Sequence, residues 1–417
     1  MTSNTYVAPG RLRVAETHDR LRAQVVRAVE ERATDLARLS HAIHADPEVS
    51  YQEHHSAELV AQAIEAAGFA TERGAYGLAT ALEGVAGDGD LTVAICAEYD
   101  ALPEIGHACG HNMIAAMGVG AATALAEVAA EAGLRVKLLG TPAEEHGGGK
   151  VDLLLAGAWE DVAFSMMTHG GTGTDLRCDA MKATAVERLE VVYTGRAAHA
   201  AGAPTQGINA ASAATVALSA LGLVRQQLAS GVNVNAYISY GGEATNIIPE
   251  RCVVQVEVRA YDLEEWRTAR RQVMACFEAG AVATGCEWRS RRTEHPYAPL
   301  ISDPAIAELW NRNLASLGRI ADPDRVMGGG STDMGNVSQV VPSIHPIIAI
   351  QDNDAVGHHP DFAAAAASPA ADRAIVDGAI TMALTALDVA LDPTLRADLL
   401  DRQLARPAGA TQQTLEP

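Results

Sequence analysis

Five side chains that could bind a metal or move a proton follow one apolar stretch of the chain. The stretch is LTVAICA, residues 91–97, and its Val and Ile residues predict a buried strand. The side chains that come after it are Glu98, Asp100, His107, Cys109 and His111. Carboxylate, imidazole and thiolate are ligands that zinc and similar metals take up. A strand that leads through such a loop into a helix is typical of sites in open α/β sheets. The alternative is a polar surface loop, and the partners that later segments supply argue against it.

Two more predicted strands end at candidate ligands. Residues 135–140 lead to Glu144 and Glu145, and residues 163–168 lead to His169. Neighbouring Glu144 and Glu145 must point in different directions. That division suits one as a metal ligand and the other as a general base.

Each candidate histidine or cysteine also has a purely structural interpretation. The chain has 14 histidines, and most are interpreted as ordinary core or surface residues. His111, His169 and one of His358 or His359 share a place at the end of an element, which favours a ligand role. The alternative for Cys109 is an inert core thiol, but the histidines two residues to either side of it favour a metal.

Three other catalytic patterns are not met. Gly118 and Gly120 lie in a helical segment without the third glycine of a dinucleotide fingerprint. The GGGK at residues 147–150 lacks the spacing and the Ser or Thr of a P-loop. The sequence has no GxSxG elbow for a serine nucleophile.

Composition restricts the partners and the compartment. The 417 residues are 48% hydrophobic but only 4% aromatic, so the core must be built from Ala, Val, Leu and Ile. A net charge of −21 argues against nucleic acid and anionic membrane as partners. Six cysteines without CxxC pairs indicate a reducing compartment. The chain start lacks an apolar signal core, and no apolar run is long enough to span a bilayer. We therefore expect a cytoplasmic protein.

The order of predicted elements indicates an α/β fold with a discontinuous main domain. Predicted helices cover residues 21–43, 57–67, 114–132, 207–228, 263–283, 306–317, 370–387 and 393–404. Predicted strands cover residues 77–82, 91–97, 135–140, 163–168, 186–194, 232–240, 252–259 and 344–350. We expect a mixed, mostly parallel, helix-covered sheet in a catalytic domain of residues 1–184 and 300–417. A smaller α+β domain, residues 185–299, would interrupt it.

Nine motifs in order along the chain resemble a known family. The family is the dinuclear-metal aminoacylases and carboxypeptidases, in the branch of indole-3-acetyl-amino-acid hydrolases and p-aminobenzoyl-glutamate hydrolase B subunits. The motifs are IHADPEVSYQE (43–53), EYDALP (98–103), GHACGHN (106–112), PAEE (142–145), HGG (169–171), GRAAHA (195–200), TNIIPE (245–250), GSTDMGNVS (330–338) and HHPDF (358–362). The resemblance implies two divalent metal ions in the catalytic domain. It also implies that the inserted domain is a lid through which the protein forms a homodimer.

The resemblance assigns a role to individual residues. The implied metal ligands are Cys109, His111, Glu145, His169 and His358, the last because Phe362 completes an H-x-x-x-F pattern. Glu144 would be the general base, and Asp100 would orient a ligand imidazole. His199 would reach the substrate carbonyl from the partner subunit's lid, while Asn246 and Arg259 would grip the substrate carboxylate.

Two positions depart from the pattern of many family members. Glu98 stands where many have a histidine, and Cys109 stands where many have a bridging aspartate. Both departures resemble the amidohydrolase branch and leave the metal open between zinc and manganese, with cobalt and nickel as further alternatives.

The function predicted from the sequence is hydrolysis of an amide. Water made more acidic by two metal ions would attack, Glu144 would take its proton, and His199 would help polarise the carbonyl. The substrate would be an N-acyl or N-aroyl amino acid or a dipeptide-like molecule. The alternatives are a catalytically inactive binding paralogue and a mononuclear zinc-dependent dehydrogenase. The complete ligand set argues against the first, and the missing dinucleotide loop argues against the second.

Overall fold

The computed structural model describes the backbone of residues 9–412 and the side chains of residues 16–411. Its helices are α1 (Pro9–Glu31), α2 (Ala33–Ala45), α3 (His54–Ala66), α4 (His111–Ala126), α5 (Ala129–Ala132), α6 (Gly149–Leu155), α7 (Ala210–Val224), α8 (Leu263–Thr284), α9 (Pro304–Ser316), α10 (Met334–Ser338), α11 (Pro360–Ala365), α12 (Pro369–Leu391) and α13 (Pro393–Ala405). Its strands are β1 (Ala70–Arg73), β2 (Leu82–Ala86), β3 (Leu91–Ala97), β4 (Leu134–Gly140), β5 (Phe164–Met166), β6 (His169–Thr172), β7 (Ala185–Thr194), β8 (Asn233–Tyr240), β9 (Arg251–Ala260), β10 (Glu287–Arg292), β11 (Ser343–Ile344) and β12 (Ile347–Ile350).

The chain divides into two units. The first unit comprises the described residues up to Met181, then Ile301–Met327, and the described residues from Val337 onwards. The second comprises Lys182–Leu300 and Gly328–Asn336. That the second unit acts as a lid and forms a dimer stays a prediction.

The first unit is built on a six-stranded sheet with the order β1-β2-β4-β3-β5-β11. The pairs β4-β3, β3-β5 and β5-β11 are parallel, whereas β1-β2 and β2-β4 are antiparallel. Strand β3 is buried along its whole length, as expected for a central parallel strand covered on both faces. A separate parallel pair joins β6 and β12. The predicted mixed, mostly parallel, helix-covered sheet is therefore confirmed.

Helix α12 is the core helix of the first unit. Its length and composition would allow it to cross a membrane, so the prediction that no apolar run is long enough was wrong. However, 78% of its most apolar window is buried inside the protein. Small residues such as Ala379 and Ala383 are fully buried in the same apolar cluster as Ala121 and Ala122 of α4. The run is apolar because it fills this core.

Several predicted elements differ from the structure. The single helix predicted over residues 21–43 is two helices, because Arg32 has non-helical ψ near 0° between α1 and α2. The prediction of a strand over residues 77–82 was wrong. The chain forms a 3₁₀ turn at Ala75–Gly77, and strand β2 begins only at Leu82. The strand predicted over residues 163–168 is the shorter β5, and His169, which follows it, begins the separate strand β6 and pairs with Ile347. That pairing partner is far along the chain and leaves no local signal.

The second unit is a four-stranded antiparallel sheet with the order β10-β7-β9-β8. Helices α7 and α8 supply most of the apolar side chains that pack against it. Strand β10 was not predicted, because its sequence EWRSRR lacks an apolar face. As an edge strand it is mostly exposed, and its Arg291 and Arg292 pair with Glu190 and Glu187 of β7.

Candidate active site

The turn between β3 and α4 places His111 at the first position of α4. Gly110, just before it, has φ +83°, a left-handed conformation that glycine adopts without steric cost. A Cβ on Gly110 would also lie 3.1 Å from the Phe362 ring. His358 is held nearby, since its N–H donates to the Ala108 carbonyl at 2.8 Å. Backbone geometry thus joins two segments that are distant in sequence.

Asp100 fixes the orientation of the His111 imidazole. Nδ1 of His111 lies 3.0 Å from Oδ1 of Asp100. The other oxygen of Asp100 accepts from Ser50 Oγ and from the N–H of Glu145, both at 3.0 Å. Burial alone would raise the pKa of Asp100, but His111 and these donors outweigh it and lower the pKa to about 2. An ionised Asp100 keeps the Nδ1 proton in place, so Nε2 of His111 faces the cluster.

The five predicted ligands converge in the first unit. The ligand atoms of Cys109, His111 and His169 lie within 4.8 Å of one another, and so do those of Cys109, Glu145 and His358. Cys109 Sγ is 3.4 Å from Nε2 of His169, and Oε2 of Glu145 is 3.8 Å from Nε2 of His358. Two overlapping groups that share a thiol suit two neighbouring cations.

Glu144 and Glu145 both face His111. Oε2 of Glu144 is 3.7 Å from Nε2 of His111, and Oε1 of Glu145 is 4.0 Å from the same atom. Glu144 is only 8% exposed. The structure therefore brings the predicted base to the same imidazole as the predicted ligand.

The two histidines of the HH pair have different surroundings. His358 lies in the cluster, with φ +62° at its backbone. Nδ1 of His359 instead accepts from the Asp361 N–H and caps helix α11. Of the two, His358 is the one placed to bind a metal.

Burial controls the protonation of the remaining donors. It raises the pKa of the Cys109 thiol, and the charge of Glu145 adds to that effect. It lowers the pKa of His169 to about 4, with a further contribution from His111. Nδ1 of His169 lies 2.5 Å from the Gly170 carbonyl and donates to it, so its Nε2 lone pair faces Cys109. A neutral imidazole in this tautomer is the form that binds a metal.

Unpartnered atoms in the cluster fit a bound cation. Nε2 of His111 and Oε1 of Glu145 are both buried without a hydrogen-bond partner. Leaving such groups unpaired is costly unless a ligand satisfies them. Thiolate, imidazole and carboxylate donors together match borderline divalent metals such as zinc.

His107, singled out beside Cys109, is structural. Its Nε2 is 3.2 Å from the Ile43 carbonyl oxygen, and its ring is 5.9 Å from that of His44. Burial lowers the pKa of His107 to about 3. It holds the loop against helix α2.

Glu98 and Lys150 form a buried ion pair at the cluster, which was not predicted from the sequence. Both are 0% exposed, and Lys150 Nζ binds Oε1 of Glu98. Oε2 of Glu98 has no hydrogen-bond partner and lies 3.5 Å from Nε2 of His111. The residues around Lys150 gave no signal of this pair, because its partner Glu98 lies 52 residues away in the chain.

His345 also lies beside the cluster and was not predicted. Its ring centroid is 5.8 Å from that of His169. It is 1% exposed, and neither ring nitrogen has a hydrogen-bond partner. Burial, and then the charges of His169, Lys150 and His111, keep the pKa of His345 well below its usual value.

His199 and Asn246 lie side by side in the second unit. Residues His199 and Ile247 form an antiparallel bridge, and the Ala200 N–H donates to the Asn246 carbonyl at 2.9 Å. Nδ1 of the exposed His199 accepts from the N–H groups of Ala201 and Gly202. The neutral ring must therefore carry its proton on Nε2, which makes Nε2 a donor.

Arg259, the third substrate-binding candidate, has internal partners. Its Nε and Nη2 donate to the two oxygens of Glu257, at 2.6 and 3.1 Å. Its Nη1 donates to the Gly329 carbonyl and to Ser331 Oγ, both at 3.2 Å. Most of its donors are thus engaged within the second unit.

Comparison with known proteins places these residues in a family context. Residues 94–382 match the family described as Peptidase family M20/M25/M40. The chain is similar to the Xaa-Arg dipeptidase of Mus musculus, with 38% identity over 405 residues that cover 93% of each protein. It is also similar to a p-aminobenzoyl-glutamate hydrolase protein of Escherichia coli (strain K12), with 26% identity over 62% of this chain and 57% of that one.

The fold is similar to that of a solved structure. That structure is the YXEP protein of Bacillus subtilis, described as a dinuclear metal binding peptidase from the M20 family. The TM-score is 0.67 with 21% identity, and the match covers 86% of this chain and 99% of that one.

Proposed function

Because the chain belongs to the Peptidase family M20/M25/M40, it is a metal-dependent hydrolase that acts on amide bonds, and we propose that it cleaves dipeptides and N-acyl amino acids. The observation that carries this proposal is the convergence of Cys109, His111, Glu145, His169 and His358 beside Glu144. Such a set combines metal ligands with an adjacent general base.

Two divalent ions held by the five ligands would supply Lewis-acid chemistry, which lowers the pKa of water and polarises the scissile carbonyl. Glu144 takes the proton of the attacking water and returns it to the leaving amine. Asp100 keeps His111 in one tautomer and one orientation, and the Gly170 carbonyl does the same for His169. Nε2–H of His199 donates to the carbonyl oxygen as negative charge develops on it.

We propose that dipeptides with a basic C-terminal residue are the preferred substrates. The name of the mouse relative, Xaa-Arg dipeptidase, supports this choice. The net charge of −21 also supports it, because a negative protein attracts cations and repels acidic substrates. The E. coli relative, named for p-aminobenzoyl-glutamate, makes N-aroyl acidic amino acids the second class.

We propose that the second unit forms a homodimer, in which His199 serves the partner's site. Strand β8 is an edge strand with exposed apolar side chains, Tyr237 at 60% and Ile238 at 39%. Exposed apolar edges are available for pairing with another chain. Six thiols without a disulfide support a reducing, cytoplasmic compartment for this dimer.

The test is a substrate panel with purified protein reconstituted separately with zinc, manganese, cobalt or nickel. The panel contains Xaa-Arg and Xaa-Lys dipeptides, matched Xaa-Glu dipeptides, N-acetyl amino acids and p-aminobenzoyl-glutamate. We expect cleavage that needs metal, with the highest kcat/KM for the basic dipeptides. No cleavage of any amide by metal-loaded protein would indicate an inactive binding paralogue instead.

A further inference from the structure

The loop that carries Glu144 and Glu145 is anchored to a distant segment of the first unit. One carboxylate oxygen of Glu53 accepts from the N–H of Ala143 at 2.9 Å. The same oxygen accepts from the N–H of Tyr51, also at 2.9 Å. Glu53 and Ala143 are both 0% exposed. Without Glu53, the Ala143 N–H would be a buried donor lacking this acceptor.

Ala143 is held in an unusual backbone conformation. Its φ is +60°, in the left-handed region where Cβ crowds the backbone of every residue except glycine. The Gly148 N–H donates to the Ala143 carbonyl at 2.9 Å, so both sides of this residue are fixed. Such a conformation persists only where its surroundings enforce it.

Two carboxylates accept hydrogen bonds from the N–H groups of two residues in this loop, one on each side of Glu144. Glu53 binds the N–H of Ala143, and Asp100 binds the N–H of Glu145. Glu144 lies between these two anchors, and its carboxylate reaches His111. The direction of the Glu144 side chain therefore depends on both hydrogen bonds.

Tyr51 holds the far end of the same loop. A Cβ on Gly147 would lie 2.3 Å from the Tyr51 ring, so the ring packs directly on the glycine backbone. The Tyr51 hydroxyl donates to Asp152 at 2.7 Å. Tyr51 and Glu53 thus contact the catalytic loop directly, and Ser50 supports it through Asp100.

We propose that Glu53 is a positioning residue, which holds Ala143 in its left-handed conformation and thereby aims Glu144 at the attacking water and Glu145 at the metal. This role rests on the proposed function, because Glu144 and Glu145 receive their roles there. Glu53 itself contacts neither the substrate nor the metal. Its anchor is a hydrogen bond from the main chain, so the acceptor oxygen matters and the negative charge does not.

The test compares Glu53→Ala, Glu53→Gln and the double variant Glu53→Ala/Ala143→Gly. Glu53→Ala removes the acceptor that holds the loop, and we expect kcat to fall about 5- to 30-fold with little change in KM. This fold-change corresponds to the free-energy cost of the left-handed conformation in a residue other than glycine. Glu53→Gln is the matched control, since its amide oxygen can accept both N–H groups, and it keeps most of the wild-type kcat. Ala143→Gly recovers a large part of the loss, because glycine adopts φ +60° without an anchor.

Two readouts do not depend on hydrolysis. Metal affinity, measured by competition with a chelator, should weaken in Glu53→Ala and recover in the double variant, because Glu145 moves with the loop. Hydrogen exchange of residues 141–148 should become faster in Glu53→Ala and stay slow in Glu53→Gln. If the wild type binds metal but cleaves no amide, the proposed function fails while this series still decides the role of Glu53.

Three outcomes would overturn the role. In the first, Glu53→Ala keeps the kcat and the metal affinity of the wild type. In the second, Glu53→Gln loses as much kcat as Glu53→Ala. In the third, adding Ala143→Gly to Glu53→Ala restores none of the lost kcat. Thermal unfolding of every variant shows whether it is folded. Should Glu53→Ala not fold, Glu53→Asp provides the same contrast, since it keeps the charge but withdraws the oxygen from Ala143.

Discussion

Nδ1 of His111 lies 3.0 Å from Oδ1 of Asp100, and each of these side chains is at most 1% exposed. The same carboxylate binds the N–H of Glu145 through its other oxygen. Asp100 therefore orients one proposed ligand through its side chain and a second through its main chain. Such an arrangement makes a residue that binds no metal important for metal affinity.

Replacing Asp100 by Asn should weaken metal binding without unfolding the protein. An amide cannot accept at both positions, so it must turn its NH₂ group toward either His111 or the Glu145 N–H. We expect metal affinity and kcat to fall by roughly 10- to 100-fold. Chelator competition measures the affinity, and Asp88→Asn, which removes a charge at an exposed position, is the control. Equal affinity in both variants would contradict the role of Asp100.

Replacing Cys109 by Ser should lower metal occupancy and activity. A bound thiolate is a strong ligand for borderline metals, and a serine hydroxyl is a poor substitute. The controls Cys178→Ser and Cys276→Ser lie outside the cluster and should keep both properties. Thiol reagents should label Cys109 faster in apoenzyme than in holoenzyme. The same labelling rate in both forms would mean that Cys109 binds no metal.

Glu53 should make stability depend on pH. Burial, and then the charge of Asp100, raise the pKa of Glu53 from 4.5 to about 7. Between these values the folded state binds more protons than the unfolded state, so this residue's contribution to stability falls as pH rises through the window. Glu53→Gln removes the ionisation, and its free energy of unfolding should exceed that of the wild type above the window by up to about 3 kcal/mol.

Urea unfolding of chelator-treated protein, below and above this window, measures that difference. Glu30→Gln, at an exposed position, should show no such trend and serves as the control. A difference between wild type and Glu53→Gln that is constant with pH would show that Glu53 ionises alike in the folded and unfolded chains.

A shared active site makes a prediction about mixed dimers. If His199 serves the partner subunit, a Glu144→Ala dimer and a His199→Ala dimer should each be nearly inactive. In a hybrid of the two, the subunit with intact Glu144 receives an intact His199, so one site of two is restored. Mass spectrometry verifies that subunits have exchanged. Hybrids that form in quantity and stay inactive would show that His199 does not act across the dimer.

Local sequence patterns predicted the part of the site that lies close together in the chain. The apolar run of β3, followed by Asp100, Cys109 and His111, predicted the strand, the loop and a helix after it, because each depends on neighbours in sequence. The helix begins at His111, three residues before the predicted start. The motif around Glu144 was equally local. The parallel-rich sheet followed from the alternation of such strands with helices.

Contacts between distant residues could not be predicted in this way. Glu53 binds an N–H that lies 90 residues along the chain, and nothing near it signals that partner. His345 meets His169 only because β12 pairs with β6. Lys150 follows three glycines in sequence, and its partner is the distant, buried Glu98. Each of these roles arises from tertiary packing.

The most direct test of the central claim is metal stoichiometry measured together with turnover in the wild type and in Glu144→Gln. Glu144 faces His111 but is proposed to move a proton, not to hold a metal. We predict that both proteins bind two equivalents of metal per chain with similar affinity, and that the variant loses roughly 100- to 10,000-fold in kcat. Near-normal turnover in Glu144→Gln, or wild-type activity that saturates at one equivalent, would contradict a two-metal hydrolase with Glu144 as its base.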